Sequence, residues 1–212
     1  MPRFQLTVPI IGILRGIPAD FFSELMKASF GAGLQALEVT MNTAGALDMI
    51  RDARPHVPPG RLLGMGTIRN QAEAEAAHAA GAMFMVTPNT DLQVIAYCRG
   101  LNIPIIAGAF TPTEVFQAWQ AGADLVKVFP CGPVGPGYIK ELLGPFDQLQ
   151  LVAVGGVNLE NLGSYFKAGA VGVGVGTTLF GKDALERRNG PAVAKNVGSF
   201  LQQLEAVRAG TF

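Results

Sequence analysis

The feature of this sequence that most constrains its fold is a strand-then-helix unit that recurs along the chain. Short runs rich in β-branched residues alternate with longer Ala-rich amphipathic stretches, and a small-residue tripeptide (AGA or GAG) precedes several of the strands. Such a tripeptide suits the end of a helix, because glycine adopts the left-handed capping conformation without a Cβ penalty. The tripeptides lie at 31–33, 80–82, 121–123 and 168–170.

This pattern predicts eight strands with helices between them. The predicted strands cover 8–14, 36–40, 62–67, 83–87, 103–107, 124–129, 151–154 and 171–175. The predicted helices cover 19–31, 44–54, 71–80, 91–101, 113–121, 138–143, 159–168 and 192–209. Strands that alternate with helices imply a parallel sheet. Eight such units in 212 residues favour a compact α/β fold, one (β/α)8 TIM-barrel domain over 1–212, rather than an open doubly wound sheet.

The composition limits the classes of ligand and the location. The 16 basic and 16 acidic residues cancel, so the chain lacks the charge excess typical of proteins that bind nucleic acid or an anionic membrane surface. We therefore expect a small-molecule ligand, no nucleic acid and no membrane. Two cysteines are too few for a disulfide framework. The N-terminus shows no secretory leader, and no apolar run reaches the roughly 18 residues that cross a bilayer, so we expect a cytoplasmic protein.

One lysine stands in a run that otherwise has the composition of a buried strand. Lys127 lies between Val126 and Val128, with Leu125 and Phe129 beyond them. An ammonium held among apolar side chains loses hydration, which lowers its pKa and leaves a nucleophilic amine for Schiff-base chemistry on a carbonyl substrate. The alternative is an edge-strand lysine whose ammonium reaches water.

Polar residues stand at the predicted C-terminal ends of the strands, where TIM-barrel active sites form. They are Arg15, Glu38, Thr40, Thr67, Thr87, Lys127 and Thr177. Because residues two apart share a face of a strand, one face carries Leu125, Lys127 and Phe129, and another carries Ala36, Glu38 and Thr40. Lys127 and Glu38 are therefore expected to meet in the mouth of the barrel.

A carboxylate near a Schiff-base lysine has a chemical use. Burial would hold the pKa of Glu38 nearer neutrality, as a proton shuttle needs. The alternative is an internal ion pair with Lys127 that serves only stability. Buried pairs rarely stabilise a fold relative to apolar replacements, which favours the functional interpretation.

Two glycine-rich segments follow the seventh and eighth predicted strands. They are 154–157 (VGGV) and 172–178 (GVGVGTT). Backbone N–H groups at such turns form anion sites, and TIM barrels commonly bind phosphate in these two loops. Gly155, Gly156, Gly176 and Thr177 are the candidates, although glycines on one strand face can also simply allow close packing.

His56 and His78 lack the neighbours of a metal site, so no metal is expected.

Several segments together resemble a known enzyme family. They are 37–43 (LEVTMNT), 64–67 (GMGT), 86–89 (VTPN), 126–130 (VKVFP) and 153–157 (AVGGV), and they span nearly the whole chain in order. The set resembles the 2-keto-3-deoxy-6-phosphogluconate (KDPG) and 4-hydroxy-2-oxoglutarate aldolase family. The resemblance implies a trimeric class I aldolase that cleaves a 2-keto-3-deoxy sugar acid phosphate to pyruvate and glyceraldehyde 3-phosphate without metal or other cofactor.

The resemblance also implies roles for individual residues. Lys127 is the Schiff-base lysine and Glu38 the proton shuttle. The residues expected to line the pyruvyl pocket are Thr67, Pro88 and Phe129, and those expected to receive the phosphate are Gly155, Gly156 and Thr177.

One position departs from the KDPG pattern. That branch typically has a carboxylate-binding arginine where this chain has Asn42. The branch that cleaves 2-dehydro-3-deoxy-6-phosphogalactonate (KDPGal) has Asn there and carries the segment ILRGI, found here at 13–17, so the carboxylate contact is expected to move to Arg15. Asn89 and the segment 134–140 (VGPGYIK) also resemble the KDPGal branch, which we therefore favour over KDPG. The two substrates differ only in configuration at C4, so relaxed stereochemistry is plausible.

Other functions remain open from the sequence. The family resemblance includes cleavage of 4-hydroxy-2-oxoglutarate. A phosphate-binding barrel isomerase or epimerase would use Lys127 electrostatically and Glu38 as a base, and a sugar-phosphate-binding barrel would have no turnover. The apolar neighbours of Lys127 argue against both of these, because an electrostatic lysine does not need them.

Overall fold

The structure is a computed structural model that describes Phe4 and residues 6–210. Within those residues, eight parallel strands close into a barrel in sequence order, β1 to β8, with the last strand paired to the first. The strands are β1 (Ile10–Leu14), β2 (Ala36–Thr40), β3 (Leu62–Gly66), β4 (Met85–Val86), β5 (Ile105–Ala109), β6 (Leu125–Val128), β7 (Leu151–Val154) and β8 (Gly172–Val175). The predicted (β/α)8 barrel is confirmed.

Helices follow the strands around the outside of the barrel. They are α1 (Ala19–Gly31), α2 (Ala46–Ala53), α3 (Gln71–Ala79), α4 (Leu92–Gly100), α5 (Pro112–Gln120), α6 (Gly135–Leu143), α7 (Leu162–Lys167), α8 (Thr177–Phe180), α9 (Lys182–Glu186) and α10 (Gly190–Arg208). The 3-10 turn Arg54–His56 follows α2. Helix α9 was not predicted from the sequence, and a turn was predicted where α8 begins. These helices have only five and four residues respectively, which is too short for a helical periodicity to be recognised. Helix α6 begins earlier than predicted, at a Gly-Pro pair.

Side chains near the helix starts explain where several helices begin. Asn70, Asp91 and Asn189 each accept a backbone N–H from the first turn of the helix that follows. Thr111 and Glu114 form a reciprocal capping box at α5. Asn70, Asp91 and Thr111 therefore mark where the loops after β3, β4 and β5 end.

The apolar core has two layers, as strand alternation requires. The larger layer lies between strands and helices and includes Leu37 and Val126. The smaller layer fills the inside of the barrel and includes Phe4, Ala36 and Leu125. Ala36 and Leu125 stand two residues before Glu38 and Lys127, so the predicted inward direction of both charged side chains agrees with the packing. None of the helices in the described part of the chain combines the length and hydropathy needed to span a bilayer.

Candidate active site

A cavity of about 480 Å³ opens at the C-terminal mouth of the barrel. The residues that line it come from β1, β2, β6, β7 and β8 and from the loops that follow these strands. They are Ile13, Arg15, Glu38, Lys127, Phe129, Val154, Gly155, Gly156, Val157, Asn158, Gly174, Gly176, Thr177 and Thr178. Eight of the twelve site residues predicted from sequence are among them.

Lys127 and Glu38 are the two buried charged groups of this cavity. Lys127 is 6% exposed and Glu38 is 2% exposed. On the strand beside Lys127 stands Gly108, and on the strand beside Glu38 stands Gly64. Gly108 leaves room for the backbone of the loop after β4, and Gly64 leaves room for the Phe84 ring, so neither glycine adds a side chain beside the charged residues.

The two groups have opposite shifts in pKa with one dominant cause. Burial lowers the pKa of the Lys127 ammonium, and the positive charge of Arg15 lowers it further, while the Glu38 carboxylate opposes both effects. Burial raises the pKa of Glu38, although the charges of Lys127 and Arg15 pull it down. Both shifts favour the neutral forms, which are a nucleophilic amine and a carboxyl able to give up a proton.

Phe129 covers the lysine on the open side of the cavity. Phe129 is 37% exposed, and the centroid of its ring lies 4.9 Å from Lys127 Nζ. The two residues point the same way because they stand two apart along the chain. A ring in this position shields a bond formed at Nζ from water on one side.

The glycine turn after β7 packs against the loop after β6. Gly155 and Gly156 have φ values of 93° and 77°, which side chains rarely adopt. A β-carbon on Gly156 would also lie 2.8 Å from Gly132 Cα. The Gly156 carbonyl accepts a hydrogen bond from Asn161 Nδ2 at 2.8 Å, so the turn has one defined shape.

The turn after β8 lies beside the turn after β7, because the two strands are paired. Gly176 is the N-cap of the short helix α8, and Thr177 is its first residue. The hydroxyl of Thr178 donates to the Val157 carbonyl at 3.1 Å, which ties the two turns together. The lining residues that were not among the predicted site residues are Ile13, Val154, Val157, Asn158, Gly174 and Thr178.

Four predicted site residues lie outside the set that lines the cavity: Asn42, Thr67, Pro88 and Asn89. Asn42 and Asn89 are exposed, whereas Thr67 and Pro88 are half-buried. Thr67 has a φ of 59° directly after β3. Their predicted contacts with substrate stay predictions.

Gly108 explains how the loop after β4 reaches the site. A β-carbon on Gly108 would lie 2.6 Å from the Thr87 carbonyl oxygen and would also contact the backbone of Pro88. The Thr87 hydroxyl accepts a hydrogen bond from the Gly108 N–H at 2.8 Å. Since Gly108 pairs with Lys127 across β5 and β6, this loop brings Pro88 close to the lysine position.

The described residues contain no group of three or more potential metal ligands from histidine, cysteine, aspartate and glutamate. Cys98 and Cys131 are both free and buried. Burial raises the pKa of the Cys98 thiol to about 12 and also raises that of Cys131, whose thiol donates to the Val128 carbonyl. Both are therefore poor nucleophiles despite the position of Cys131 near the site.

Known proteins share both the sequence pattern and the fold of this chain. Residues 5–196 match the family model described as KDPG and KHG aldolase. The 2-dehydro-3-deoxy-6-phosphogalactonate aldolase of Escherichia coli (strain K12) is 32% identical over 205 residues, which cover 96% of this chain and 100% of that protein. The 2-dehydro-3-deoxy-phosphogluconate aldolase of Haemophilus influenzae is 34% identical over 159 residues, 74% of this chain and 73% of that protein. A solved structure described as "Native KDPGal structure" has a TM-score of 0.90 at 31% identity, with 97% of this chain and 98% of that chain covered.

Proposed function

The chain belongs to the KDPG and KHG aldolase family, and we propose that it is a class I aldolase that reversibly cleaves a 2-keto-3-deoxy-6-phospho sugar acid to pyruvate and D-glyceraldehyde 3-phosphate. The observation that carries this proposal is the pair Lys127 and Glu38. Both are almost fully buried, and both line one cavity at the barrel mouth. A neutral amine beside a carboxyl is what Schiff-base cleavage of a keto acid requires.

The reaction starts with attack of Lys127 Nζ on the C2 ketone. Because burial lowers the pKa of Lys127, a larger fraction of the amine is neutral and nucleophilic at neutral pH. The attack forms a C–N bond and gives a carbinolamine. Its hydroxyl takes a proton from the Glu38 carboxyl, whose pKa is raised by burial, and leaves as water. A protonated imine remains on Lys127.

The protonated imine then acts as the electron sink for cleavage. The C4 hydroxyl loses its proton to the Glu38 carboxylate, directly or through a water molecule that Glu38 holds. The electrons of the C3–C4 bond move into the imine, which gives D-glyceraldehyde 3-phosphate and an enamine on Lys127. Protonation of the enamine at C3 and addition of one water release pyruvate and restore the amine. The water consumed here balances the one lost earlier.

Three further side chains serve binding and shielding in this proposal. Arg15 and Thr67 hold the substrate carboxylate. The guanidinium of Arg15 can donate two N–H groups to it. Phe129, with its ring 4.9 Å from Lys127 Nζ, keeps the imine dry. Pro88, Asn42 and Asn89 complete the predicted substrate contacts, with Asn42 in place of the arginine of the KDPG branch.

The glycine turns bind the phosphate in this proposal. The receiving residues are Gly155, Gly156, Gly176 and Thr177. All four line the same cavity as Lys127 and Glu38. A single substrate can therefore contact the lysine with its keto end and the glycine turns with its phosphate end. Binding energy from the phosphate orients the reacting carbons without entering the chemistry.

KDPGal is the favoured substrate and KDPG the second. Asn42, Asn89 and the 13–17 segment support KDPGal. Relatives named for KDPGal align over 85% and 96% of this chain, and four relatives named for KDPG align over 66% to 85% of it. The alternative 4-hydroxy-2-oxoglutarate would use Lys127 and Glu38 in the same way, without the phosphate contacts.

Further predictions concern the protein as a whole. Residues 1–212 are proposed to form one domain, and the protein is proposed to be cytoplasmic and homotrimeric. The first two rest on the sequence pattern and composition and the third on family resemblance. No cofactor beyond the covalent Schiff base is proposed.

Borohydride reduction in the presence of pyruvate tests the chemistry, because it converts the imine into a stable secondary amine. The expected result is a reduced pyruvyl adduct on the peptide that contains Lys127, found by mass mapping. A lactate dehydrogenase-coupled assay on KDPGal and KDPG then measures which C4 configuration is preferred. An adduct on no lysine at all would contradict the aldolase proposal and favour the isomerase alternative.

A further inference from the structure

A pair of threonine hydroxyls connects the loop after β1 to the end of β2. The backbone N–H of Gly16 donates to Thr43 Oγ1 at 2.9 Å. Thr43 Oγ1 in turn lies 2.9 Å from Thr40 Oγ1. Thr40 is fully buried and Thr43 is 4% exposed. The chain of three groups therefore runs from the core of the barrel to the exposed loop.

Thr43 is itself held firmly by backbone contacts. Its N–H donates to the Thr40 carbonyl at 2.8 Å, and its carbonyl accepts from the Ala46 N–H at 3.1 Å. The turn between β2 and α2 thus fixes the position of the Thr43 hydroxyl. The hydroxyl is an anchor on rigid structure, while Gly16 belongs to an exposed turn with a φ of 63°.

Gly16, which the Thr43 hydroxyl holds, directly follows Arg15 in the sequence, and Arg15 lines the active-site cavity. Arg15 is exposed, so the core does not enclose its side chain. A hydrogen bond to the next peptide group restricts where the Arg15 Cα can lie. A long charged side chain on a restricted backbone loses less freedom when it binds an anion.

On the premise of the aldolase function proposed above, we propose that Thr43 is a positioning residue, whose hydroxyl holds the Arg15–Gly16 loop so that the guanidinium meets the substrate carboxylate. Thr43 does not contact substrate in this role. It acts on binding only through Arg15.

This role makes a specific kinetic prediction. The substrate carboxylate is present before and during bond cleavage, so Arg15 binds ground state and transition state about equally. Loss of such an interaction raises KM and leaves kcat almost unchanged. A purely structural role for Thr43 would instead lower the melting temperature without this separation of KM from kcat.

The test compares four single variants of the full chain and the double variant Arg15→Ala with Thr43→Val. Thr43→Val removes the hydroxyl at constant shape, and Thr43→Ser retains it; Thr43→Ala replaces the valine variant if that does not fold. Ser29→Ala is the matched control, because it removes another buried hydroxyl, which donates to the Leu25 carbonyl at 2.8 Å within α1. Arg15→Ala shows whether Thr43 acts through the arginine.

The expected result for Thr43→Val is a KM for the phosphorylated keto acid raised about tenfold, with kcat changed less than about twofold. Thr43→Ser and Ser29→Ala should keep the wild-type KM. In an Arg15→Ala background, Thr43→Val should raise KM no further, because the group it positions is gone. An unchanged KM in Thr43→Val, or a full additional increase in the double variant, would overturn the proposal.

Hydrogen exchange of the Gly16 amide gives a readout that does not need the aldolase reaction. Its exchange should be faster in Thr43→Val than in wild type, Thr43→Ser or Ser29→Ala. Should the wild-type protein form no pyruvate adduct, the aldolase proposal fails while this measurement still tests the anchor. Equal exchange in all variants would overturn the positioning role whatever the activity.

Discussion

The carboxylate of Glu38 lies directly against Gly66 of the neighbouring strand. A β-carbon built on Gly66 would lie 2.5 Å from Glu38 Cδ, closer than real β-carbons approach. The Glu38 carboxylate therefore occupies the space that a side chain at position 66 would fill. The position of Glu38 depends on the absence of that side chain.

Gly66→Ala is expected to displace the carboxylate and lower kcat by about tenfold to a hundredfold, because small errors in the position of a catalytic group are costly. Steady-state kinetics on KDPGal measures the change. Gly100→Ala in α4 is the matched control, since a β-carbon there meets nothing within 4 Å, and its kcat should stay at the wild-type value. A wild-type kcat in Gly66→Ala would show that the carboxylate has no fixed position.

Lys127→Met should abolish imine formation, because methionine keeps the apolar stem and lacks the nucleophile. Turnover should fall by more than about a thousandfold, while the circular dichroism spectrum of the barrel stays unchanged. Lys140→Met on the exposed face of α6 is the control and should retain both adduct and activity. Retained turnover in Lys127→Met would rule out the Schiff-base mechanism.

Glu38→Gln should lower kcat by about 10²- to 10⁴-fold, the usual contribution of a general acid–base. The charge of Glu38 raises the pKa of Lys127, so this variant should have a lower Lys127 pKa. The rise of pyruvate-adduct formation with pH should then begin at lower pH than in wild type. Glu141→Gln, on the exposed side of α6, should change neither quantity; a wild-type kcat in Glu38→Gln would remove Glu38 from the mechanism.

Loss of the lysine should change how stability depends on pH. The folded pKa of Glu38 is raised above its ordinary value of 4.5. Between 4.5 and the folded pKa the folded state binds more protons than the unfolded state, so stability falls as pH rises. Lys127→Met removes a charge that lowers the pKa of Glu38, so this pKa rises further even with Arg15 still present. The pH range over which stability falls then becomes wider, and the total decrease in the free energy of unfolding becomes larger.

Urea unfolding of Lys127→Met across pH 4 to 8 measures this effect. The double variant Lys127→Met with Glu38→Gln has no carboxyl at this position, and its free energy of unfolding should lose most of the decline. An identical decline in the single and double variants would mean that another group titrates.

Gly156→Ala tests phosphate binding separately from imine formation at Lys127. The substitution places a β-carbon at a φ of 77° and 2.8 Å from Gly132 Cα, which distorts the proposed phosphate turn. We expect KM for the phosphorylated substrate to rise about tenfold or more, while adduct formation with pyruvate, which has no phosphate, stays close to wild type. Equal loss of both would mean that the turn supports the lysine site and does not bind phosphate.

Local anomalies in the sequence identified much of the site. Lys127 and Glu38 are charges inside apolar runs, and Gly155 and Gly156 interrupt the end of a strand, so each stands out from its neighbours. The cavity at the barrel mouth brings these four residues together, as the strand order and alternation predict. Asn42 and Asn89 came from family resemblance alone, and both lie outside the cavity lining.

Other residues of the site look ordinary in the sequence. Gly66 and Gly108 are small residues in apolar runs, Thr43 is a threonine in a turn, and Thr178 is a threonine in the short helix α8. Their importance comes from what lies across from them: a carboxylate, a loop backbone, the Gly16 N–H and the Val157 carbonyl. No local pattern records such pairings between segments distant in sequence.

The sequence by itself determined the barrel, the direction in which each strand residue points and the two charged groups at its mouth. It could do so because periodicity and burial act within single strands and helices, and one charge in an apolar run is visible there. Only the tertiary structure decided the spacing between strands, the space that glycines leave for Glu38 and the loop after β4, and the anchoring of Arg15. These depend on register and on backbone approach between neighbouring strands, which are properties of closing the barrel and not of any one segment.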